Sequence, residues 1–476
     1  MTTMPDAITI AKSELTEATR LLRCAVEKSL PATASFAQRE AAWLAVGNEA
    51  TRMGLEDELQ RLSDGLGAQV LVDGQRHRRH LEGEVGYHSL CGTLSVRRFS
   101  YRRVDERNGA TVVPTELAAG IVENATPALA FNVAHGFAKH DMRSHAEDLV
   151  AAHRVPPSRT TLERIAQRVG DAAGAARPRI EAYVRRDEAL PKGACAISLG
   201  LDRVAVPMEE PRPADAPPRA RRSKKPRVRK APSPVDVNYR MAYVGTVAVL
   251  DADGEVLATR KYAIADSDDP ATQIVDRMAA DVITMRRKAP TLVVGIVQDG
   301  APEMWNLLRE GLARHAITGP ILEAIDRYHL TERLGKALAI IESDEAVRKR
   351  IMGEWIADFE HRDSAIDVIQ NWLIKRHSAL HPDKATALWE HLVYVRRNKG
   401  RMRYVTMRLA GLHIGSGVTE GSCKSVVGKR ANCGGQRWHH RGLRNALTLR
   451  ALHQSDRLPQ FWSHLARRYT AKVVNG

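Results

Sequence analysis

The sequence reads as an α/β protein, α+β over its 476 residues as a whole: a mixed sheet covered by helices, preceded by a mainly helical region. Three features lead there. Apolar residues recur at three-to-four spacing through residues 8–30 and 35–62, the period of an amphipathic helix. Apolar, β-branched runs concentrate between residues 194 and 298. From residue 271 onward strand and helix patterns alternate, the order that sets parallel strands side by side.

Length allows about two to four domains with substantial cores. The chain carries 72 Lys and Arg against 56 Asp and Glu, a formal net charge of +16. That excess points to a polyanionic partner, most simply nucleic acid, although ribosomal or membrane-surface attachment gives the same signal. Cys24, Cys91, Cys195, Cys423 and Cys433 form no CxxC pair, which argues against a zinc ribbon or a disulfide framework. No basic-then-apolar leader opens the sequence, and no apolar run nears the roughly 18 residues of a membrane span. A reduced, soluble, cytoplasmic protein is expected, with no membrane partner.

The elements follow in order. Residues 1–75 form the helical N-terminal region. In 76–115, "YHSLCGTLSVRRFSYRR" alternates apolar and basic residues across a Cys-Gly-Thr break, a hairpin with one cationic face. Helices resume in 116–190. There "SHAEDLVAAHRVPPSRTTLERIAQRVG" places a helix at 144–152, a short "HRVPP" connection and a second helix from Ser158 or Thr160. Thr160 with Glu163 reads as a capping box, and Leu149, Val150, Leu162, Ile165 and Val169 as the seam between the helices. The pair is either a DNA-binding helix-turn-helix, with Arg159, Thr160 and Thr161 at base edges, or an ordinary helical hairpin.

The first part of the sheet region is 191–342, broken at 208–236 by a Pro-rich basic stretch that cannot build a core. Eight Lys or Arg lie between Arg219 and Lys230, including Arg221, Arg222, Lys224, Lys225 and Arg227. They read as a phosphate-tracking arm, or as a solvated linker. On either side come "ACAISLGLDRVAV", then "YRMAYVGTVAVL" and "EVLATRKYAIA" around a "DADG" turn. A helix over 271–288, a strand over 292–298, a helix from Pro302, and a short strand running into a helix at "GPILEAIDRYHLTERLGKAL" complete the run. A three-strand meander followed by crossovers fits a ribonuclease-H-like mixed sheet.

In that topology the first and fourth strands are neighbours, so Asp202 and Asp299 meet although far apart in the chain. In "VVGIVQDGAPEMWN" a buried strand ends at Asp299, where a charge is costly without a partner. Asp-Gly is also a common turn. Two adjacent carboxylates repel, and a divalent cation relieves them. Two-metal phosphoryl transfer places its ions about 3.5–4 Å apart and needs a third acid. Glu420 in "IGSGVTEGSCKSVVGKRANCGGQRW" is the candidate, with Lys424, Lys429 and Arg430 on the following turns. A Glu stabilising a helix N-terminus is the plainer alternative.

Four segments, "SLGLDRVAVPMEEP", "QDGAPEMWN", "DRYHLTERL" and "IGSGVTEGSCKSVVGKRANCGGQRW", resemble in order the motifs of the ISKra-type insertion-sequence transposases, bacterial relatives of the mutator-like DDE transposases. The resemblance covers roughly half the chain, from Ser198 to Trp438. It implies a ribonuclease-H-like fold with an Asp-Asp-Glu metal site in which Asp202, Asp299 and Glu420 hold two Mg²⁺ or Mn²⁺ ions. Asp326 and His329 match the family's acid-x-x-His element as auxiliary catalytic residues. Residues 343–410, bearing Trp355, Trp372 and Trp389, match the helical insertion before the final Glu, and 411–476 the last part of the core. Lys424, Lys429 and Arg430, with Arg437 and Trp438 of "GQRW", are the expected DNA contacts there. The cysteine pair that family members often carry after the N-terminal hairpin is missing from "FSYRRVDERNGATVVPTEL", so zinc is not expected there.

The expected activity is metal-dependent cleavage at element ends, followed by attack of the freed 3′-hydroxyl on target DNA. Its partners would be double-stranded DNA, as terminal inverted repeats and target, and further copies of the chain in a homodimer or larger assembly. A related nuclease or resolvase, and a non-catalytic helix-turn-helix regulator, are the alternatives.

Overall fold

The computed structural model describes residues 12–106, 108–213, 235–265, 269–317 and 319–476, with side chains from Glu14 onward. The basic arm, including Arg221, Arg222, Lys224, Lys225 and Arg227, lies outside the described residues. The chain is a mixed α/β protein in two units, Met1–Val184 with Asp456–Gly476, and Arg185–Ser455. Among the described residues no helix is long and apolar enough to cross a membrane.

The first unit opens with α1 (Lys12–Ser29) and α2 (Phe36–Asp64). A capping box starts α2: Ser35 Oγ accepts from Gln38 N at 3.3 Å, and Gln38 Oε1 accepts from Ser35 N at 2.8 Å. Strands β1 (Gln69–Val72), β2 (Gln75–Ser89), β3 (Gly92–Arg103) and β4 (Thr111–Val112) follow. The expected hairpin is β2–β3, turning at Leu90–Cys91, and Tyr87, Leu94 and Val96 bury their side chains against Leu59 of α2. It does not stand alone. All four strands belong to one antiparallel sheet whose edge is a C-terminal strand, Val473–Asn475, paired with β1. Residues 411–476 are therefore shared between the units, with 456–476 in the first.

Helices α3 (Pro114–Ala119), α4 (Pro127–Lys139), α5 (Met142–Ala151) and α6 (Arg159–Asp187) complete this part of the chain. Two details depart from the sequence reading. Thr160 lies inside α6, and it is Ser158 Oγ that accepts from Thr161 N, at 3.3 Å, because the helix begins two residues earlier than the Thr160 cap required. Val150 points to solvent, while Leu149, Leu162, Ile165 and Val169 are buried, since a helix buries only one stripe. Arg159 is exposed and paired with Glu163 at 3.3 Å.

The second unit is built on β5 (Ala196–Pro211), β6 (Val235–Leu250), β7 (Val256–Ile264), β8 (Val293–Gln298) and β9 (Ile321–Ile325). Their order across the sheet is β7-β6-β5-β8-β9. The first three form an antiparallel meander; β8 and β9 add in parallel. Asp251 locks the β6–β7 turn, its Oδ1 accepting from Asp253 N at 3.0 Å and Glu255 N at 2.9 Å. The boundaries 208–236 given above for the basic stretch are too wide. The ladder runs out to Pro211 opposite Val235, held near its tip by Arg240–Glu210 at 2.6 Å and Arg212–Asp236 at 2.9 Å.

Helices α7 (Pro270–Lys288) and α8 (Pro302–Arg314) make the parallel crossovers, and α9 (Arg327–Ile341) leaves β9. The insertion is α10 (Glu345–His361), α11 (Ala365–His377) and α12 (Pro382–Asn398), followed by α13 (Tyr404–Leu409). Trp355 and Trp372 meet edge to face at 5.4 Å, and Phe359, Ile369 and Leu392 join the same core as Leu199, Ile296 and Trp305. The insertion therefore shares the sheet's core. Trp389 is exposed. Last come α14 (Gly417–Ser422), a π-helical turn (Cys423–Gly428), α15 (Lys429–Ala431) and α16 (His440–Gln454).

Candidate metal centre

Strand register places the acids. In the parallel β5–β8 pair, Ala196 stands opposite Val293 and Leu199 opposite Ile296. Continued along both chains, that register brings Asp202 level with Asp299. In β8–β9, Gln298 stands opposite Ile325, so the next residues, Asp299 and Asp326, are level as well. The three aspartates thus fall in line across neighbouring strands, Asp202 within β5 and Asp299 and Asp326 just past the carboxyl ends of β8 and β9, the usual place for a site in such sheets. Alternate residues of a strand share a face. Ser198, Gly200 and Asp202 therefore project together, and each meets the segment that carries Glu420. Ser198 Oγ is 2.9 Å from His413 Nε2, Gly200 lies under Thr419, and Cys423 Sγ donates to Asp202 Oδ2 at 3.4 Å.

Gly200 is what lets α14 dock. A Cβ there would come within 2.0 Å of Thr419 Oγ1, which instead pairs with Thr246 Oγ1 of β6 at 2.8 Å. Glu420 follows Thr419 directly, so this contact sets its height above the sheet. The π-helical turn after α14 is the kind of irregularity that often marks a functional segment.

Asp326 is the most heavily bonded acid, only 2% exposed. It caps α9, Oδ1 accepting from Tyr328 N at 2.6 Å and His329 N at 3.0 Å. Its Oδ2 accepts from Ser416 N and, at 2.6 Å, from Ser416 Oγ. Burial by itself would raise its pKa, but donation from Ser416 and from the His329 N–H, with the His329 ring alongside, holds it below the usual carboxylate range. Ser416 Oγ also lies 2.9 Å from Glu420 Oε1, and His329 Nδ1 lies 3.6 Å from Asp326 Oδ1 and 3.8 Å from Glu420 Oε1. Asp326, His329 and Glu420 bring one donor atom each within 4.8 Å of one another.

Asp202 and Asp299 are not in that group. Asp202 Oδ1 accepts from the N–H of Arg203 at 2.7 Å, and Asp299 Oδ1 from Ala301 N at 3.0 Å. Two centres about 3.5–4 Å apart would not need all four acids within one ligand radius. Shared neighbours nevertheless tie the acids together. Burial and then the charges of Asp202 and Glu420 push the Cys423 thiol far up, while burial and the charges of Asp299 and Asp326 raise the Tyr394 hydroxyl against an opposing Arg333. Tyr394, from α12, stands over the turn after β8, where a Cβ on Gly300 would meet its ring at 2.3 Å.

The sequence reading missed Ser416, Thr419, His413 and Tyr394. Ser416 and Thr419 sit inside the quoted Glu420 motif, but nothing local marks Tyr394. Of the expected DNA contacts here, Lys424, Lys429 and Arg437 are exposed, and Arg437 reaches Glu209 at 3.9 Å. Arg430 is a correction: it is 3% exposed, its guanidinium 4.7 Å from the half-buried Trp438 ring, because its turn packs onto β5 instead of facing out. Trp438 itself continues the sheet edge, with Trp438 N donating to Pro207 O at 3.1 Å and Glu209 N to Trp438 O at 2.8 Å.

No family model matches this sequence, and a search of curated proteins returns no significant match.

Proposed function

We propose that this chain is a DDE-type DNA transposase of the ISKra kind, with its chemistry on a ribonuclease-H-like sheet in the second unit. One arrangement carries the reading: the strand registers, continued by a few residues, bring Asp202, Asp299 and Asp326 into line across β5, β8 and β9, and Glu420 shares the Ser416 hydroxyl with Asp326. A meander followed by two parallel strands, in the order found here, is the arrangement that reading requires. A bare row of carboxylates is self-repelling, and hard divalent cations are its usual partner.

The donor set fits that class. Asp202, Asp299 and Glu420 offer carboxylate oxygens, the preference of Mg²⁺ or Mn²⁺, and one imidazole at the rim is compatible with Mn²⁺. When bound, such ions supply charge neutralisation at a scissile phosphate and a more acidic water or hydroxyl. The chain's own residues do the rest. Asp326 uses all four acceptor positions on protein donors, so it fixes α9 and the Ser416 loop. Ser416 then orients Glu420, and His329 stands on its open side. Lys424 and Lys429 present positive charge on the same segment for a DNA backbone. The deciding experiment incubates the chain with duplexes carrying the element ends, in Mg²⁺ or Mn²⁺. Cut ends that join to a second duplex support a transposase; cutting without joining makes it a nuclease; neither, with binding retained, leaves the DNA-binding regulator.

Two results separate how DNA is held. Replacing the eight bases between Arg219 and Lys230 with Gln should weaken binding to every sequence and flatten its salt dependence, because that slope counts the phosphates neutralised. Unchanged affinity and slope would leave the arm a linker. Arg159→Ala should reduce affinity for the element end by roughly five- to 150-fold, equivalent to about 1–3 kcal/mol for a lost guanine contact, with little effect on random duplex. Titrations at one salt concentration decide: equal loss on both makes Arg159 a phosphate contact, and no loss makes α5–α6 an ordinary helical hairpin.

A further inference from the structure

A second cluster of donor groups lies in the first unit, where α4 ends and α5 begins. His140 is the C-cap residue of α4, and His145 and Asp148 sit three apart on α5, on one face of that helix. Each offers one donor atom, and the three atoms lie within 4.8 Å of one another. His140 Nε2 and Asp148 Oδ2 are 2.9 Å apart, and the two imidazole rings stack at 6.4 Å.

That much would describe an ordinary His–Asp pair. His145 makes the difference. The residue is 5% exposed, and its Nε2 is buried with no hydrogen-bond partner among the described residues. A buried polar atom left so costs about 1–3 kcal/mol, and native chains rarely carry one without a reason. The ring lies flat against Gly136 of α4, where a Cβ would come within 2.2 Å of His145 Nδ1. A glycine inside a helix costs about 1 kcal/mol relative to alanine, and here it is what admits the imidazole.

We propose that His140, His145 and Asp148 form a site for a divalent transition-metal ion of the zinc class, distinct from the carboxylate centre of the second unit. Two imidazoles and one carboxylate suit Zn²⁺ and its nitrogen-preferring neighbours and do not suit Mg²⁺ or Ca²⁺. Three protein ligands leave one position for water, and Asp148, 62% exposed, and His140, 37%, keep it open to solvent. Burial pushes the His145 imidazole down to about 4, with His140, His135 and Lys139 adding to the effect and Asp148 opposing it, so the ring is already neutral at physiological pH. The ion would pin the end of α4 to α5, immediately before the connection into α6.

The test uses the full chain carrying Glu420→Gln and His329→Gln, so that the second unit's centre does not contribute. After chelation and desalting it is titrated with Zn²⁺ against a chromophoric competitor and, separately, with Co²⁺. The expected result is one tight Zn²⁺ equivalent, visible d–d bands for Co²⁺, and a melting temperature raised by Zn²⁺. Asp148→Asn and His140→Gln, both at the surface, should each weaken Zn²⁺ binding by at least roughly tenfold, since even outer-sphere partners of bound metals cost that much. The Zn²⁺-dependent rise in melting should disappear with it. His145→Gln should do the same, with circular dichroism reporting whether that buried change still folds. Equal Zn²⁺ affinity in parent and both surface variants, or no Zn²⁺ retained by the parent, overturns the site.

Discussion

On the transposase reading proposed above, Asp299→Asn, Asp202→Asn and Glu420→Gln are each expected to reduce DNA cleavage by more than roughly a hundredfold, beyond the loss expected for a merely supporting partner of a bound metal, while DNA binding should stay close to that of the parent. Each change removes one negative charge and keeps the side chain's shape. Asparagine at 299 can still accept from Ala301 N, and asparagine at 202 can still accept from Cys423, so the local turns persist. What is lost is the charge that draws a divalent cation onto the row. Cleavage of labelled end-containing duplex in Mg²⁺ and in Mn²⁺, beside gel-shift titrations of the same duplex, measures both halves. Near-parental cutting by any one variant removes that residue from the centre. Loss of binding in parallel with cutting would instead mean a damaged fold.

Asp326 is expected to behave differently, because its role begins with the fold. Asp326→Ala strands three backbone donors, the N–H groups of Tyr328, His329 and Ser416, and leaves the Ser416 hydroxyl with Glu420 as its acceptor. It also uncaps α9 at the point where that helix enters the core. Hydrogen bonds to a buried charge are each worth about 1.5–3 kcal/mol, and breaking a buried charged pair costs about 3–5 kcal/mol. A loss of roughly 3–5 kcal/mol in unfolding free energy is therefore expected. Cleavage should fall too, since the Ser416 loop that meets Glu420 is no longer held in place by Asp326. Asp326→Asn should lie between: its remaining carbonyl can still cap α9, but its amide faces the Ser416 donors. Urea unfolding of the three proteins provides the comparison. An alanine variant within about 0.5 kcal/mol of the parent, the range of ordinary surface changes, would show that this network is not what holds the Ser416 loop.

Much of the second unit was legible along the chain because its signals are local. A run such as Val293–Val297 is apolar at successive positions, as in a strand buried on both faces, and Pro302 marks the next helix start. Asp299 was visible for the same reason: a charge at the end of such a run is an anomaly within one short segment. The β2–β3 hairpin and the α5–α6 pair were likewise readable from period and turn residues, although the cap of α6 moved from Thr160 to Ser158. Segment type, order and the candidate acids are therefore properties of the sequence, since periodicity and turn chemistry depend on neighbours a few residues apart.

Pairings between distant segments were not legible in that way, and tertiary packing decided them. Nothing in Val473–Asn475 names its partner; it pairs with β1 because that edge of the N-terminal sheet is open to it. Arg430 and Lys429 are adjacent, basic and equivalent in composition, yet one is buried over Trp438 and the other exposed, because the turn docks on β5 by one face. Asp326 and Glu420 share a hydroxyl, Ser416, only once α14 settles on Gly200. Local signals measure a segment's own free energy. Which distant segments meet depends on burying complementary surfaces together, a property of pairs that no single stretch contains.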